Sequence, residues 1–486
     1  MIARVNDPRN GRLGTYEPGD CYCEMLGGRD APASHAGPIE KRLARLRPGA
    51  LKRRARAADQ ELFNLGITFT VYSDKNAIDR VLPFDVIPRV LSAEDWRHID
   101  AGCIQRVTAI NRFIEDVYHE QRILEESVVP RELVETNSNY RREMRGHDLR
   151  FGAYVNICGI DLVRDGEGTF RVLEDNARTP SGVSYVVENR HLMLRAFPDL
   201  AKGVRLRSVS NYGMKLREAL AEIAPEGVDE PRVALLSPGV FNSAYFEHVF
   251  LAREMGVPLV EGRDLLVENG HVYMKTTGGL RRVDVIYRRI DDDFLDARQF
   301  KPESVLGVKG LFEVYRAGRV ALANAVGTGV ADDKAIYAYM PRIIRFYLDE
   351  EPILENVETH LCREREGLEY TLANLERLVV KPVGESGGYG VVVGPKASRE
   401  EIAECRARLR KAPENYISQP MVDLSVCPTL IDSKIAPRHV DLRPYVITGR
   451  ESWVLPGGLT RVALREGSLV VNSSQGGGTK DTWVLE

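Results

Sequence analysis

Three oxygen-bearing side chains, Asp161, Glu174 and Asn176, stand in a stretch that reads as a two-stranded ribbon, VNICGIDLVRDGEGTFRVLEDNAR over residues 155–178. The segments Tyr154 to Val163 and Phe170 to Asp175 have strand character. Between them, Asp165-Gly166-Glu167-Gly168 is rich in residues that tolerate positive φ. If the turn closes with Asp165 opposite Phe170, Asp161 falls opposite Glu174. Alternation then puts Asn176 on the face of Glu174. Two carboxylates face to face repel unless something positive lies between them. Hard oxygen donors with few His or Cys nearby point to Mg²⁺. Arg178, two residues on, can reach an anion held by that metal. Alone, the pattern is equally that of a surface hairpin with scattered acids.

A second group lies far downstream. A strand, Leu378-Val379-Val380, ends in Lys381 and runs into Pro382-Val383-Gly384-Glu385-Ser386-Gly387-Gly388-Tyr389-Gly390. Glycines let backbone N–H groups turn toward phosphate oxygens without a Cβ in the way. Lys381 supplies a point charge for the same oxygens. No GK[ST] follows, and a strand rather than a helix comes after, so the loop is not a Walker motif; the alternative is a plain glycine hairpin. Lys334 opens a helix after the turn Gly327 to Asp333, as a phosphate contact or a solvated residue. Arg443 and Arg461 sit on successive strand-like segments, and two fixed guanidiniums suit a polyphosphate or a developing acyl phosphate.

The elements that must position these groups alternate between helix and strand. A helical pattern runs from Ile39 to Leu65, broken at Pro48-Gly49, with a basic run read as a solvated face over apolar Leu43, Leu46 and Leu51. Gly66 to Tyr72 is a strand candidate. Ser92 caps a helix starting at Ala93, whose periodicity continues through Gln105 to Leu124 with Val107, Ile110, Ile114 and Val117 inward. Gly182 to Arg195 reads as a helix. The strand from Arg232, the helix Ala244 to Met255 and the strand from Val257 form a β-α-β order that predicts a Rossmann-like parallel unit. Its loop lacks GxGxxG. The strand Val283 to Tyr287 leads into Arg288-Arg289-Ile290-Asp291-Asp292-Asp293, where α/β sheets place ligands; a structural ion-pair network is the alternative. Tyr416 to Val422 is a short strand.

With 486 residues the chain can form roughly two to four domains. Apolar residues at 43% and charged residues at 28% are ordinary for a globular protein. A net charge of −3 gives no general pull toward nucleic acid or an anionic membrane. Seven scattered cysteines fit neither a zinc knuckle nor a redox pair and read as buried free thiols in a reducing compartment. The first twenty residues lack the apolar core of a signal peptide, and no apolar run reaches membrane-spanning length. These features point to the cytoplasm.

Taken together the segments resemble the ATP-grasp superfamily of carboxylate–amine ligases. Lys334 resembles the first nucleotide lysine, and Lys381 with Gly384, Ser386, Gly387, Gly388 and Gly390 the second lysine and its loop. Ser418 to Val422, with Gln419 and Met421, is similar to the adenine hinge, although Gln419-Pro420 stands where many relatives carry a glutamate. Arg443 and Arg461 look like the phosphate arginines, and Asn472 before Gly476-Gly477 like the Asn–Gly-Gly element. Asp161, Glu174 and Asn176 match the magnesium triplet, with Arg178 as its common follower. The hairpin that should come last comes first, so the chain resembles the circularly permuted ATP-grasp proteins, type 2 group.

The resemblance implies an α/β (α+β) fold in which residues 1–135 form a mainly helical N-terminal region. Residues 136–200 would carry the permuted hairpin, 201–325 a Rossmann-like pre-ATP-grasp domain and 326–486 the nucleotide lobes. It implies ATP and Mg²⁺ as cofactors, a small-molecule or peptide carboxylate and an amine as substrates, and an acyl-phosphate intermediate. Arg461, Arg443 and Arg178 would be catalytic, with Arg288 and Arg289 as further contacts for substrate carboxylate. The alternatives are a phosphotransferase on the same fold and a non-catalytic ATP-binding protein.

Overall fold

The computed structural model describes residues 13–29, 35–46, 48–73, 76–384, 390–469, 471 and 476–486. Ser386, Gly387, Gly388 and Asn472, expected around the phosphates, lie outside the described residues.

The largest sheet gathers strands from both ends of the chain. In spatial order it runs Glu355–Asn356, Phe170–Asn176, Ile157–Arg164, Lys434–Arg443, Leu459–Val462, Gly478–Val484 and Phe84–Leu91. Val426–Ile431 pairs with Lys434–Arg443, while Tyr445–Thr448 pairs with Ile157–Arg164 and with Ser452–Val454. The predicted hairpin is thus an interior piece of a sheet in which the strand beside it, Lys434–Arg443, comes almost three hundred residues later, and not a free ribbon. Ile157–Arg164 is buried along its whole length. The strand nearest the C-terminus, Gly478–Val484, pairs in parallel with Phe84–Leu91.

A second sheet is all parallel, in the order Ala321–Ala323, Val285–Arg288, Val233–Leu236, Leu259–Val260. The helix Tyr245–Met255 crosses between the last two, which makes this β-α-β segment a parallel unit. A third sheet, His360–Leu361, Tyr416–Pro420, Leu378–Pro382 and Val392–Val393, is antiparallel. Helices Arg365–Asn374 and Arg399–Lys411 flank it, with Cys362, Leu375, Val380, Cys405 and Leu409 forming the core between.

The long helix Ala93–Tyr118 begins at a capping box in which Ser92 and Asp95 satisfy each other's backbone N–H groups. Val107, Ile110, Ile114 and Val117 are all buried. The helix stops at Tyr118, short of the expected Leu124. Asp116 turns its carboxylate onto the N–H groups of Arg122 and Ile123, and Gln121 takes φ 58°, so a separate short helix follows. The cysteines are free thiols, and all but Cys21 are buried. Among the described residues no helix is long and apolar enough to cross a membrane.

Candidate functional site

Strand pairing sets the site. Asp161 lies directly opposite Glu174, and Gly159 opposite Asn176, so the three oxygen donors share one patch. The turn does not close as expected. Arg164, not Asp165, faces Phe170. The Asp165 carboxylate takes the N–H groups of Glu167 and Thr169, and Gly168 sits at φ 89°, which lengthens the loop. A bulge at Leu173 then restores the alignment before Glu174. The two one-residue displacements cancel at the carboxylate pair.

Next to this hairpin, Leu442 pairs with Leu162, and on the far side of its strand Asp441 pairs with Arg461. Glu174, Asp161, Asp441 with Arg443, and Arg461 therefore form a row of charge across four neighbouring strands. Arg443 donates to both oxygens of Asp161, from Nε and, at 2.8 Å, from Nη2. Arg461 Nη2 lies 2.7 Å from Asp161 Oδ2, and its Nε donates to both oxygens of Asp441. Burial raises the Asp161 pKa, but the Arg443 and Arg461 charges outweigh it and hold the carboxyl well below the usual range. Burial pushes Asp441 up, against the pull of Arg461.

Two lysines act on this row. Lys334 is the first residue of the helix Lys334–Leu348, which Asp333 caps, and its Nζ lies 3.4 Å from Glu174 Oε2. Lys381 is the last residue but one of the strand Leu378–Pro382. Burial brings it down to about 8, against the pull of Glu174 and Asp161. Four cations, Lys334, Lys381, Arg443 and Arg461, meet three carboxylates, Asp161, Glu174 and Asp441. The patch carries surplus positive charge, as a polyanion site should. After Lys381, Gly390 at φ 71° packs so close to Pro382 that a Cβ there would meet its Cγ at 3.0 Å. Among the described residues nothing lies within 4 Å of a Cβ built on Gly384.

On the facing strand Ile417 pairs with Lys381 and Gln419 with Val379, so Gln419 shares the face of Lys381. The Thr359 hydroxyl donates to the Val357 carbonyl, so it can only accept from Gln419 Nε2, at 2.9 Å. That fixes the amide and leaves Gln419 Oε1 buried without a partner among the described residues. Met421, just past the strand, is partly exposed.

Arg178 binds Asp332 through Nε at 2.7 Å and through its own N–H. Arg288 and Arg289 do not serve as expected. Arg288 gives its donors to the carbonyls of Asn324, Ile290 and Ala325 and pairs with Asp292. Arg289 holds Pro180 O, Tyr287 and Glu247. Both are buried, and this segment is the structural ion-pair network. Asp332, Asn324, Asp441 and Glu247 were not singled out from the sequence. Only Asp441 had a local signal, since it lies two residues before Arg443 on one strand and so on the same face.

Residues 88–463 match the family described as circularly permuted ATP-grasp type 2. The chain belongs to that family. An uncharacterized protein of Synechocystis sp. is 51% identical over 98% of this chain and 99% of its own length. One of Mycobacterium tuberculosis is 49% identical over 99% of this chain and 88% of its own. A Frankia alni protein, named as a candidate glutamate–cysteine ligase 2-3, is 43% identical over 97% of this ATP-grasp chain but only 54% of its own length. Its name therefore also covers residues that have no counterpart here. Among solved structures, a glutathione synthetase-like effector of Globodera pallida superimposes with a TM-score of 0.58 at 11% identity, over 90% of this chain and 98% of that one. That likeness is one of fold.

Proposed function

We propose that this ATP-grasp protein is an ATP- and Mg²⁺-dependent carboxylate–amine ligase that works through an acyl phosphate. The observation that carries the proposal is the charged row Glu174–Asp161–Arg443–Arg461, with Lys334 set against Glu174. A triphosphate and a carboxylate repel unless charge is neutralised on both sides, and this patch is built to do that.

The donor set fits a hard cation. Glu174 offers a carboxylate that is not fully buried, and Asn176 an amide whose nitrogen is engaged by Gly159 O at 3.2 Å, leaving the oxygen as acceptor. Asp161 keeps one lone-pair direction beyond its three arginine contacts. Among the described residues no cluster of three or more His, Cys, Asp or Glu forms a metal cage. That suits Mg²⁺, which takes one or two carboxylates and shares its remaining positions with phosphate and water. Bound there, Mg²⁺ would neutralise the β- and γ-phosphate oxygens.

Lys334 and Lys381 would hold the phosphates, and Arg443 and Arg461 would stabilise the charge that builds as a substrate carboxylate oxygen bonds to the γ-phosphorus and ADP leaves. An amine then forms the C–N bond at the acyl carbon, the C–O bond to phosphate breaks, and the amine loses a proton. Gln419 Oε1 would accept from the adenine amino group, beside the backbone of Met421. The phosphates would meet Gly384 to Gly390 and Asn472.

The test is product analysis. The full chain with Mg²⁺-ATP and pairs of amino acids or short peptides should release ADP and free phosphate in equal amounts only when both acid and amine are present. Glu174→Ala should abolish turnover with the fold retained. Survival of Mg²⁺-ATP turnover in that variant would remove Glu174 from the metal site.

A further inference from the structure

The strand Phe170–Asn176 carries two of the three oxygen donors, yet its register is weakly held where they stand. Its inner neighbour, Ile157–Arg164, pairs along it, but with the bulge at Leu173 just before Glu174. On its outer side, among the described residues, it pairs with a strand only at Arg171 and Val172, opposite Glu355 and Asn356. A bulge disrupts the ladder locally. A slip of one residue would turn Glu174 and Asn176 off their face and bring Asp175 onto it.

Asp175, between the two donors, lies on the opposite face of the strand and is gripped there. Its carboxylate accepts from Arg106 Nε at 2.6 Å and from Arg106 Nη2 at 2.8 Å. Arg106 comes from the long helix Ala93–Tyr118, and both side chains are buried. Its remaining nitrogen, Nη1, donates to Asn356 Oδ1 at 2.8 Å, and Asn356 Nδ2 donates to Tyr337 O at 2.8 Å. Tyr337 belongs to the helix Lys334–Leu348. Its hydroxyl donates to Val172 O at 2.6 Å, and the Arg106 guanidinium lies over its ring, 5.4 Å from the centroid. One guanidinium thus ties together the donor strand, the outer strand at Asn356 and the helix whose first residue, Lys334, stands 3.4 Å from Glu174.

A buried ion pair contributes little net stability, because lost hydration offsets the attraction, and fixing a register is its best-attested use. A fork of two parallel bonds to one carboxylate sets direction as well as distance. We infer that Arg106 is a positioning residue that pins the register of the strand Phe170–Asn176, so that Glu174 and Asn176 face the cation and Lys334 keeps its place beside them. The role rests on the reading of Glu174 and Asn176 as magnesium ligands.

The experiment is calorimetric titration of the full chain with ADP, with and without saturating Mg²⁺. The readout is the factor by which Mg²⁺ strengthens ADP binding, measured beside the melting temperature. Arg106→Met combined with Asp175→Leu replaces the pair by apolar groups of similar size and should keep the fold. A merely structural pair leaves the Mg²⁺ factor at its parental value in that variant, whereas the pin predicts a loss of about tenfold or more. Arg106→Lys keeps the charge without the fork; it should lose about tenfold as well, and it carries the test if the apolar pair does not fold. If Glu174→Ala removes the factor while the folded Arg106 variants keep it, the pin is overturned and the metal site stands. If Glu174→Ala keeps the parental factor, the metal reading falls and the pin falls with it.

Discussion

Arg461 is gripped from the side by Asp441, its Nε 3.0 Å from each carboxylate oxygen, while its Nη2 reaches across to Asp161. Each partner of this buried pair depends on the other to offset the loss of water. Asp441→Asn should cost about 3–5 kcal/mol of stability by leaving Arg461 under-compensated. It should also weaken Mg²⁺-ADP binding, because Arg461 loses its fixed direction. Chemical denaturation and nucleotide titration of the same variant check both. A stable variant with unchanged affinity would mean that Asp161 alone suffices.

Lys381 gives a pH signature. With burial holding it near 8, about half of ligand-free chains carry a neutral amine there at pH 8. A phosphate anion favours the charged form, so binding of Mg²⁺-free ADP should take up protons at pH 8 and almost none at pH 6. Affinity should fall as pH rises through 8. Titrations in buffers of different ionisation enthalpy measure the uptake, and Lys381→Met should abolish it.

Gln419 carries a prediction about the base. Its unpartnered Oε1 can accept from the amino group of adenine and has nothing to offer the carbonyl of guanine. Gln419→Leu should weaken ATP binding about tenfold and leave GTP binding nearly unchanged. Equal losses for both nucleotides would place the base elsewhere.

His248 should make the fold acid-sensitive. Burial first, then the Arg289 charge, lowers it to about 2, and Ser237 bonds its Nδ1 at 2.9 Å. The unfolded chain takes up a proton below about 6.5 that the folded chain refuses. Stability is therefore full above that pH and declines below it, by about 1.4 kcal/mol per pH unit. Denaturation curves at pH 7 and pH 5 should differ less in His248→Asn than in the parent.

Glu24 ties an early segment to the hairpin. Its buried carboxylate accepts from Arg89 and Ser425 at 2.6 Å each and lies 3.5 Å from Arg164, while Tyr22 stacks against Arg164 beside the turn. Glu24→Gln removes the charge and keeps the shape, and should lose about 3–5 kcal/mol. A loss under about 1 kcal/mol in urea unfolding would show that the hairpin tip is held by packing alone.

Much of the site was legible because its parts sit on regular elements. Asp161, Glu174 and Asn176 follow strand alternation, Lys381 is the last residue but one of a strand, and Lys334 starts a helix behind a capping Asp333. The turn count was wrong because the Asp165 side chain competes with the backbone for N–H groups, and alternation says nothing of that. Arg288 and Arg289 looked like ligand contacts because they follow a parallel strand, yet backbone carbonyls and buried acids consume most of their donors. Asn324 and Asp332 work only through contacts with residues about 150 positions away, and no local pattern encodes such a meeting.

The arginines that neutralise Asp161 come 282 and 300 residues after it. On a ribosome adding 5–20 residues per second, Arg461 emerges roughly 15–60 s later than the acid it must meet. Throughout that interval the nascent hairpin has to wait with Asp161 unmatched, and it can join its final sheet only as translation reaches the last strands. Assembly of the charged patch is therefore a late event in the biogenesis of this protein, and a stalled or shortened nascent chain would hold Asp161 without its counter-charges.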